Sequence, residues 1–257
     1  MGSIAASFYN ASIGKMMLSG SDLIIATTNR YVECSPCLRK YRNKIRIVPN
    51  GVSDRFFLPI VGADRLRERY GIGKDVHVIL FVGAIEVYKG TDLLISSFKI
   101  VEANNHNVHL LIVGDGTMRK HLEDMVLRLG LTKKVTFTGY ASDYDMPYFF
   151  SICDIFVLPS ISELEGFGIV QIEAMAIGKP VIVTDLPGVN QVDPDHLASI
   201  KVEKRNPQAI ADAILSLIEN KANAIEMGHQ GRKLALTNYS WTKVAARIER
   251  CYDEVLT

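Results

Sequence analysis

The chain has 257 residues, of which 48% are hydrophobic and 22% charged, and these fractions exclude disordered and collagen-like proteins. Its 29 lysines and arginines against 28 acidic residues leave a formal net charge of +1, so it lacks the basic field of nucleic-acid binders. No apolar stretch reaches the ~18 residues needed to cross a bilayer, and the N-terminus shows no signal-peptide pattern. We therefore expect a soluble, cytoplasmic protein that binds no nucleic acid.

The first 60 residues predict a short α/β segment. We expect a helix near 5–18, a strand at 22–27, a helix at 30–41 and a strand at 45–48, before the turn signal Pro49-Asn50-Gly51. A strand-helix-strand fragment cannot bury both faces of a sheet. We therefore expect residues 1–52 to be the end of a domain that begins before this chain, together with an interdomain linker.

This segment also holds a Cys34-Ser35-Pro36-Cys37 run, which raises the hypothesis of a zinc or dithiol site. Zinc would need a second pair of cysteines or histidines at ligand spacing, and the downstream histidines are scattered through strand-like sequence. A thioredoxin-like dithiol would open a helix close after a strand, whereas this run follows Arg30–Glu33. We expect incidental reduced thiols and no metal.

From residue 76 onward, short apolar runs alternate with stretches of helical length. This alternation predicts an α/β fold with a doubly wound parallel sheet that has helices on both faces. The predicted strands lie near 77–83, 108–113, 135–138, 154–158, 180–184 and 198–202, and the predicted helices near 91–103, 117–129, 168–177, 207–220, 222–237 and 241–255.

Gly114-Asp115-Gly116 begins like a dinucleotide-binding fingerprint at the end of the second of these strands. The third glycine position holds Arg119, and Lys133 and Lys134 stand about 20 residues on, where that fingerprint has a ribose-binding acid. We interpret the run as a tight turn between a strand and a helix.

A stronger candidate is the segment Pro159–Ile182, which follows a strand and opens a helix near Gly168. The amides of Gly166, Phe167 and Gly168 can converge on an anion at the N-terminus of that helix. A phosphate would suit this position.

Glu173 lies within the same helix, which is apolar on nearly every side. A buried carboxylate needs donors, so we expect them from a neighbouring lysine such as Lys179 or from the hydroxyls of a ligand. Glu165, eight residues earlier, can approach the same ligand. The alternative is a structural salt bridge together with a solvated loop acid.

Lys89-Gly90 follows the first strand of the large sheet and precedes the helix at 91–103. Doubly wound folds bind ligands at this edge, so the lysine can balance a diphosphate. The alternative is an ordinary surface lysine before a helix.

Taken in order, these motifs resemble the retaining glycosyltransferases of family 4, the glycosyl transferases group 1, which have the GT-B architecture of two facing Rossmann-like domains. Glu165 and Glu173 match the family's E-x(7)-E motif. The matching segments are I-V-P-N-G-V with Phe56 within 45–56, F-V-G and Lys89-Gly90 at 81–90, L-I-V-G-D-G at 111–116, V-T-F-T-G-Y at 135–140, C-D-I-F-V-L-P-S at 153–160, E-G-F-G-I-V-Q-I-E-A-M-A-I-G-K-P-V-I at 165–182, and Tyr239-Ser240-Trp241.

The resemblance implies that residues 53–238 form the domain that binds a nucleotide-sugar donor. It implies that residues 239–257 are a C-terminal helix that packs back toward the first domain. The implied reaction is transfer of a glycosyl group from a UDP-, GDP- or ADP-linked sugar, with retention of configuration and without a metal or another cofactor.

The resemblance also implies roles for individual residues. Lys89 would meet the diphosphate, Glu165 would position the donor sugar, and Glu173 would accept hydrogen bonds from the ribose. The remaining implied binding positions are the loop residues Gly166, Phe167 and Gly168, and the main chain at Gly83, Gly139 and Tyr140.

Two positions depart from the family pattern. Ala84 stands where the family usually has an arginine, so one expected diphosphate cation is absent. After Pro187-Gly188-Val189, the usual Glu-Val becomes Gln191-Val192 and an acidic loop at 193–196 follows. These departures, together with the short first domain, leave the activity of the chain on its own open.

A basic cluster lies in the N-terminal segment, with no acid among its members. In a family that works on saccharide or lipid-linked acceptors, such a cluster can contact an anionic membrane surface. The alternative is a solvated helix end. The five cations are Arg39, Lys40, Arg42, Lys44 and Arg46.

The sequence thus favours a glycosyltransferase that is represented mainly by its donor-binding half. One alternative is another GT-B enzyme such as a sugar-nucleotide epimerase, against which the E-x(7)-E motif argues. A second is a non-catalytic nucleotide-sugar-binding subunit that pairs with a separate acceptor-domain chain, which the late start and Ala84 suggest.

Overall fold

A computed structural model describes residues 13–256. Six parallel strands form one sheet in the order β5-β4-β3-β6-β7-β8, which is the order of a doubly wound nucleotide-binding fold. All six coincide with predicted strands to within a residue or two. Their bounds are His77–Val82 (β3), Val108–Val113 (β4), Val135–Gly139 (β5), Ile155–Leu158 (β6), Val181–Thr184 (β7) and Ser199–Val202 (β8).

Helices cover both faces of this sheet, because its strands carry apolar side chains on both faces. In β3, Leu80 enters the core that contains Ile172 and Phe150, whereas Ile79 and Phe81 enter the opposite core. The α/β fold with a doubly wound parallel sheet is therefore confirmed. The helices are Asp64–Arg69 (α3), Thr91–Asn104 (α4), Arg119–Arg128 (α5), Met146–Ile152 (α6), Ile169–Ile177 (α7), Pro207–Glu219 (α8), Lys221–Leu234 (α9) and Trp241–Leu256 (α10), numbered after two N-terminal helices.

The topology brings two loops together at the centre of the sheet. β3 and β6 are neighbours, and the chain leaves them toward opposite halves of the sheet. Such a switch point opens a crevice at the carboxyl edge of the strands. The loop after β3, which ends in the 3₁₀ turn Val87–Lys89, and the loop from β6 to α7 border this crevice.

The N-terminal segment forms a separate parallel pair of strands, Ile24–Ala26 (β1) and Ile45–Ile47 (β2). The predicted helix near 5–18 is seen as Gly14–Gly20 (α1), and residues 1–12 lie outside the described part. The predicted helix at 30–41 is wrong. Asn29–Cys34 (α2) ends before Pro36, whose ring forces Ser35 into an extended conformation, and a 3₁₀ helix, Leu38–Lys44, follows.

α10 packs against this N-terminal pair. Val244, Ile248 and Cys251 of the helix form a small core with Leu23 and Val48. No helix within residues 13–256 is long and apolar enough to span a membrane.

The linker after β2 is attached to the start of α10. The amide of Val52 donates to the carbonyl of Tyr239 at 2.7 Å. The indole of Trp241 lies over Gly51, where a Cβ would stand 2.6 Å from the ring. Glycine at position 51 therefore permits this close packing.

Candidate functional site

A cavity of about 490 Å³ lies at the switch point of the large sheet, and we call it the cleft cavity. One wall comes from the N-terminal segment and linker, and the other from the loops after β3 and β6. The predicted site residues Lys89, Glu165, Gly166, Phe167 and Gly168 therefore lie together. The cavity is lined by Thr27, Tyr31, Asn50, Lys89, Glu165, Gly166, Phe167, Gly168, Ile169 and Val170.

Lys89 and Glu165 form a buried ion pair in this cavity. The distance from Lys89 Nζ to Glu165 Oε2 is 2.6 Å, and the two residues are only 9% and 8% exposed. Ser160 donates its hydroxyl to the same carboxylate oxygen at 2.9 Å. The sequence predicts Lys89 and Glu165 at one edge of the sheet but does not predict their mutual contact.

The loop after β3, which carries Lys89, is held against the loop after β6 by a close backbone approach and a hydrogen bond. Gly90 has φ +66, and a Cβ there would stand 2.2 Å from the carbonyl oxygen of Pro159. The amide of Ile161 donates to the carbonyl of Tyr88 at 2.8 Å. A Cβ at Gly83 would stand 3.7 Å from Lys89 Nζ, so the predicted binding residue Gly83 borders the ammonium group.

The glycine loop, residues 166–168 before α7, has a backbone that is held in place by neighbouring residues. Gly168 has φ +70, a left-handed conformation that favours glycine, and a Cβ there would meet the side chain of Leu158 at 2.7 Å. A Cβ at Gly188 would stand 1.9 Å from the carbonyl oxygen of Gly166, so the two loops touch. Within the described chain, no group accepts a hydrogen bond from the amides of Gly166, Phe167 or Gly168. Donors are thus available for an anion at this helix N-terminus.

Glu173 lies in a different cavity, which we call the linker cavity. This space of about 190 Å³ is lined by residues of the linker, the loop after β5, α6, α7 and the start of α10: Gly51, Val52, Ser53, Arg55, Phe56, Asp143, Met146, Glu173 and Trp241. The expectation that Glu165 and Glu173 approach one ligand therefore requires a ligand that extends over both cavities.

The carboxyl group of Glu173 has no donor within residues 13–256. Lys179, the predicted lysine partner, instead donates to the carbonyl of Ser151 at 2.8 Å, so that part of the prediction is wrong. Burial, and then the negative charge of Asp143, raise the pKa of Glu173 from 4.5 to about 7. The structural salt bridge proposed as an alternative for Glu173 is absent from the described chain.

The linker cavity has two further charged residues that were not predicted from the sequence, Arg55 and Asp143. Arg55 donates to the carbonyl of Asp143 at 3.0 Å, and its guanidinium lies 4.7 Å from the ring centre of Tyr144. The linker is thereby connected to the loop after β5. The sequence signal was weak, because Arg55 stands in a polar connection and Asp143 in an ordinary acidic loop.

Gly139 and Tyr140, the predicted neighbours of the base, begin the loop that leads to Asp143. Gly139 has φ +77, and Tyr140 is 82% exposed. Neither residue lines the cleft cavity or the linker cavity. Their contact with a base therefore stays a prediction.

Gly114 and Gly116 have a structural reason to be glycine. A Cβ at Gly114 would meet the carbonyl oxygen of Gly83 at 1.9 Å, and one at Gly116 would meet that of Ile85 at 2.4 Å. The interpretation as a tight turn is confirmed.

Ala84, which follows Gly83 in this contact, is exposed. The nearby Arg119 pairs with Asp115 and Glu123.

The acidic loop after Gln191 is held by its own first aspartate. Asp193 is buried and accepts from the amide of Ala198 at 2.9 Å and from the hydroxyl of Ser199 at 2.8 Å. This departure from the family pattern therefore has a structural role.

The basic cluster does not form one free patch. Lys44 donates to the carbonyls of Ser19 and Ser21, and Arg46 pairs with Glu254 at 2.8 Å. Arg42 lies 3.6 Å from Glu33, which leaves only Arg39 and Lys40 of the five without a side-chain hydrogen bond or ion pair among the residues described. Cys34 and Cys37 are exposed and form no disulfide within the described residues.

Comparison with known proteins places the chain in a family. The family described as glycosyl transferases group 1 matches residues 63–234. An uncharacterized glycosyltransferase of Methanocaldococcus jannaschii is 31% identical over 82% of this chain and 54% of its own length. A GDP-mannose-dependent alpha-(1-6)-phosphatidylinositol monomannoside mannosyltransferase of Mycobacterium tuberculosis is 28% identical over 79% of this chain and 54% of its own length.

The fold is shared with solved structures. The crystal structure of Anabaena HepE in complex with UDP superposes with a TM-score of 0.82 at 20% identity, covering 91% of this chain and 64% of that one. The chain spans 54% of the length of both curated relatives. With its GT-B type fold and a family match over most of its length, the chain belongs to the glycosyl transferases group 1.

Proposed function

We propose that the protein transfers a glycosyl group from a nucleotide-sugar donor with retention of configuration. The observation that carries this proposal is the cleft cavity, where a buried cation and free helix-terminal amides face one space. The names of the relatives support the same reaction class, and one of them is GDP-mannose-dependent.

The diphosphate of the donor would lie between Lys89 and the glycine loop. Unpaired amides at a helix N-terminus and a nearby ammonium group are donors that suit phosphate oxygens. They would also stabilise the negative charge that develops on the leaving nucleoside diphosphate. In this proposal no metal is required for that stabilisation.

The nucleoside would extend from the diphosphate into the linker cavity. Glu173 has no donor of its own in the described chain, so its carboxylate is available to accept from the ribose hydroxyls. Gly139 and Tyr140 would flank the base, with Asp143 and Arg55 on the same side of the site.

The sugar would then lie beside Glu165, and the acceptor would approach from the N-terminal segment. Thr27, Tyr31 and Asn50 already face the glycine loop across the cleft cavity. We propose that residues 1–52 belong to the acceptor-side domain, residues 53–238 to the donor domain, and that α10 connects back to the first. The acceptor would be a saccharide or a lipid-linked sugar.

A thermal-shift series with UDP, GDP, ADP and their glucose or mannose conjugates tests the proposal. A ligand at ~100 times its Kd raises the unfolding free energy by about 2.7 kcal/mol. Gly166→Ala tests the phosphate position without disturbing the fold, because its Cβ would meet no protein atom within 4 Å and its φ needs no glycine. It is expected to keep the stability of the parent and to lose nucleoside-diphosphate binding. Failure of every nucleotide to shift the parent would refute the proposal.

A further inference from the structure

In the cleft cavity, Glu165 and a bound diphosphate would compete for the same cation, Lys89. Lys89 is the cation that the diphosphate needs, yet its Nζ already lies 2.6 Å from Glu165 Oε2. Both side chains are nearly buried, so solvent screens their attraction only weakly. A diphosphate that binds Lys89 must therefore replace the carboxylate as its partner.

Glu165 has a second anchor that does not depend on Lys89. The hydroxyl of Ser160 donates to Oε2 at 2.9 Å, and Ser160 is fully buried two residues after β6. The carbonyl of Ser160 in turn accepts from the hydroxyl of Thr184 on β7, which is also fully buried. Ser160 is thus held by the sheet and not by Lys89.

We propose that Lys89 changes partner when the donor binds: the diphosphate displaces Glu165 from Lys89, and Ser160 keeps Glu165 in place. This inference rests on the proposed function, which assigns the diphosphate to Lys89. Ser160 is a positioning residue in this scheme, because it acts through Glu165. The exchange frees acceptor capacity on Glu165 beside the sugar only once the diphosphate is bound.

The exchange predicts that Glu165 opposes the binding of a nucleoside diphosphate that carries no sugar. Glu165→Gln keeps the shape and can still accept from Ser160, but its neutral amide holds Lys89 more weakly. We expect this variant to bind the nucleoside diphosphate at least about tenfold more tightly than the parent. Its sugar transfer or donor hydrolysis is expected to fall.

Isothermal titration with UDP, GDP and ADP tests the exchange. Glu165→Asp, which withdraws the charge from Lys89, is expected to change affinity in the same direction and serves if the glutamine variant folds poorly. Glu163→Gln is the matched control, because Glu163 is an exposed acid of the same loop and its variant should bind as the parent does. In a Lys89→Met background, the gain from Glu165→Gln should vanish.

Ser160→Ala tests the positioning role through kinetics. With UDP-glucose, GDP-mannose and ADP-glucose as donors, kcat is expected to fall while KM for the donor stays close to that of the parent. Equal or weaker diphosphate binding by both Glu165 variants would overturn the exchange, and an unchanged kcat in Ser160→Ala would overturn the role of Ser160. If Lys89→Met binds the diphosphates as the parent does, the proposed function itself fails.

Discussion

Replacing Glu173 by glutamine keeps the shape of the side chain and removes a charge that the fold disfavours. Burial and the charge of Asp143 raise the pKa of this carboxyl from 4.5 to about 7. One pKa unit corresponds to about 1.4 kcal/mol, so the charged form costs about 3 kcal/mol more in the folded protein than in the unfolded chain.

The pH dependence of the unfolding free energy follows from which state binds protons more tightly. The folded protein holds the Glu173 proton more tightly than the unfolded chain does, so the stability that Glu173 contributes is complete below pH 4.5 and is lost as the pH rises to about 7.

His109 has the opposite effect. Burial, and then the charge of Lys134, lower the pKa of His109 from 6.5 to about 4, so stability from His109 is lost as the pH falls through that range. The two slopes oppose each other, and we expect a nearly flat profile for the parent between pH 4.5 and 6.5.

Urea unfolding measures this directly. At pH ~4 parent and Glu173→Gln are expected to have equal unfolding free energies, and at pH ~8 the variant should be more stable by about 3 kcal/mol. Glu163→Gln, which neutralises an exposed acid, should show no such pH-dependent gain.

Glu173→Gln should also lose about tenfold or more in affinity for the preferred nucleotide, since charged hydrogen bonds contribute roughly 1.5 to 3 kcal/mol. A variant less stable than the parent at every pH would refute the reasoning.

Three further changes can be tested with the same measurements. His109→Gln removes the loss of stability on acidification, so its unfolding free energy should fall steadily from pH 4.5 to about 7; a flat profile would contradict this. Gly168→Val combines a left-handed backbone with a Cβ 2.7 Å from Leu158, and it should lower stability by about 1 to 3 kcal/mol and abolish diphosphate binding. Retained binding would mean that the phosphates lie elsewhere. Ala84→Arg adds a cation at the exposed position after Gly83, which borders Lys89, and it should tighten diphosphate binding roughly tenfold with a steeper salt dependence and leave nucleoside binding unchanged. No gain would place position 84 away from the phosphates.

The large sheet was predictable because both of its faces are buried. Runs such as Val108–Val113 are buried throughout and apolar except for His109, and that pattern differs from the spaced apolar residues of a surface helix. Short elements were harder. The helices Asp64–Arg69 and Met146–Ile152 have only a turn or two each, too few residues for a period to emerge.

The candidate site was predictable as far as strand ends define it. Lys89 and Glu165 follow neighbouring strands, so the parallel sheet itself brings them to one edge. Their 2.6 Å contact joins residues 76 positions apart and depends on loop conformations that no spacing encodes. Ser160 had a readable signal, because it is a polar residue two positions after an apolar strand, whereas the signal at the linker position of Arg55 was weak.

The contact between the linker and the start of α10 has a mechanical consequence. The chain crosses from the N-terminal strand pair to the large sheet at Val52 and returns at Ser240, and these two crossings pair with each other. A rotation of the two sheets against each other would therefore have to turn about this paired crossing, and a bulkier residue at position 51 would collide with the ring of Trp241.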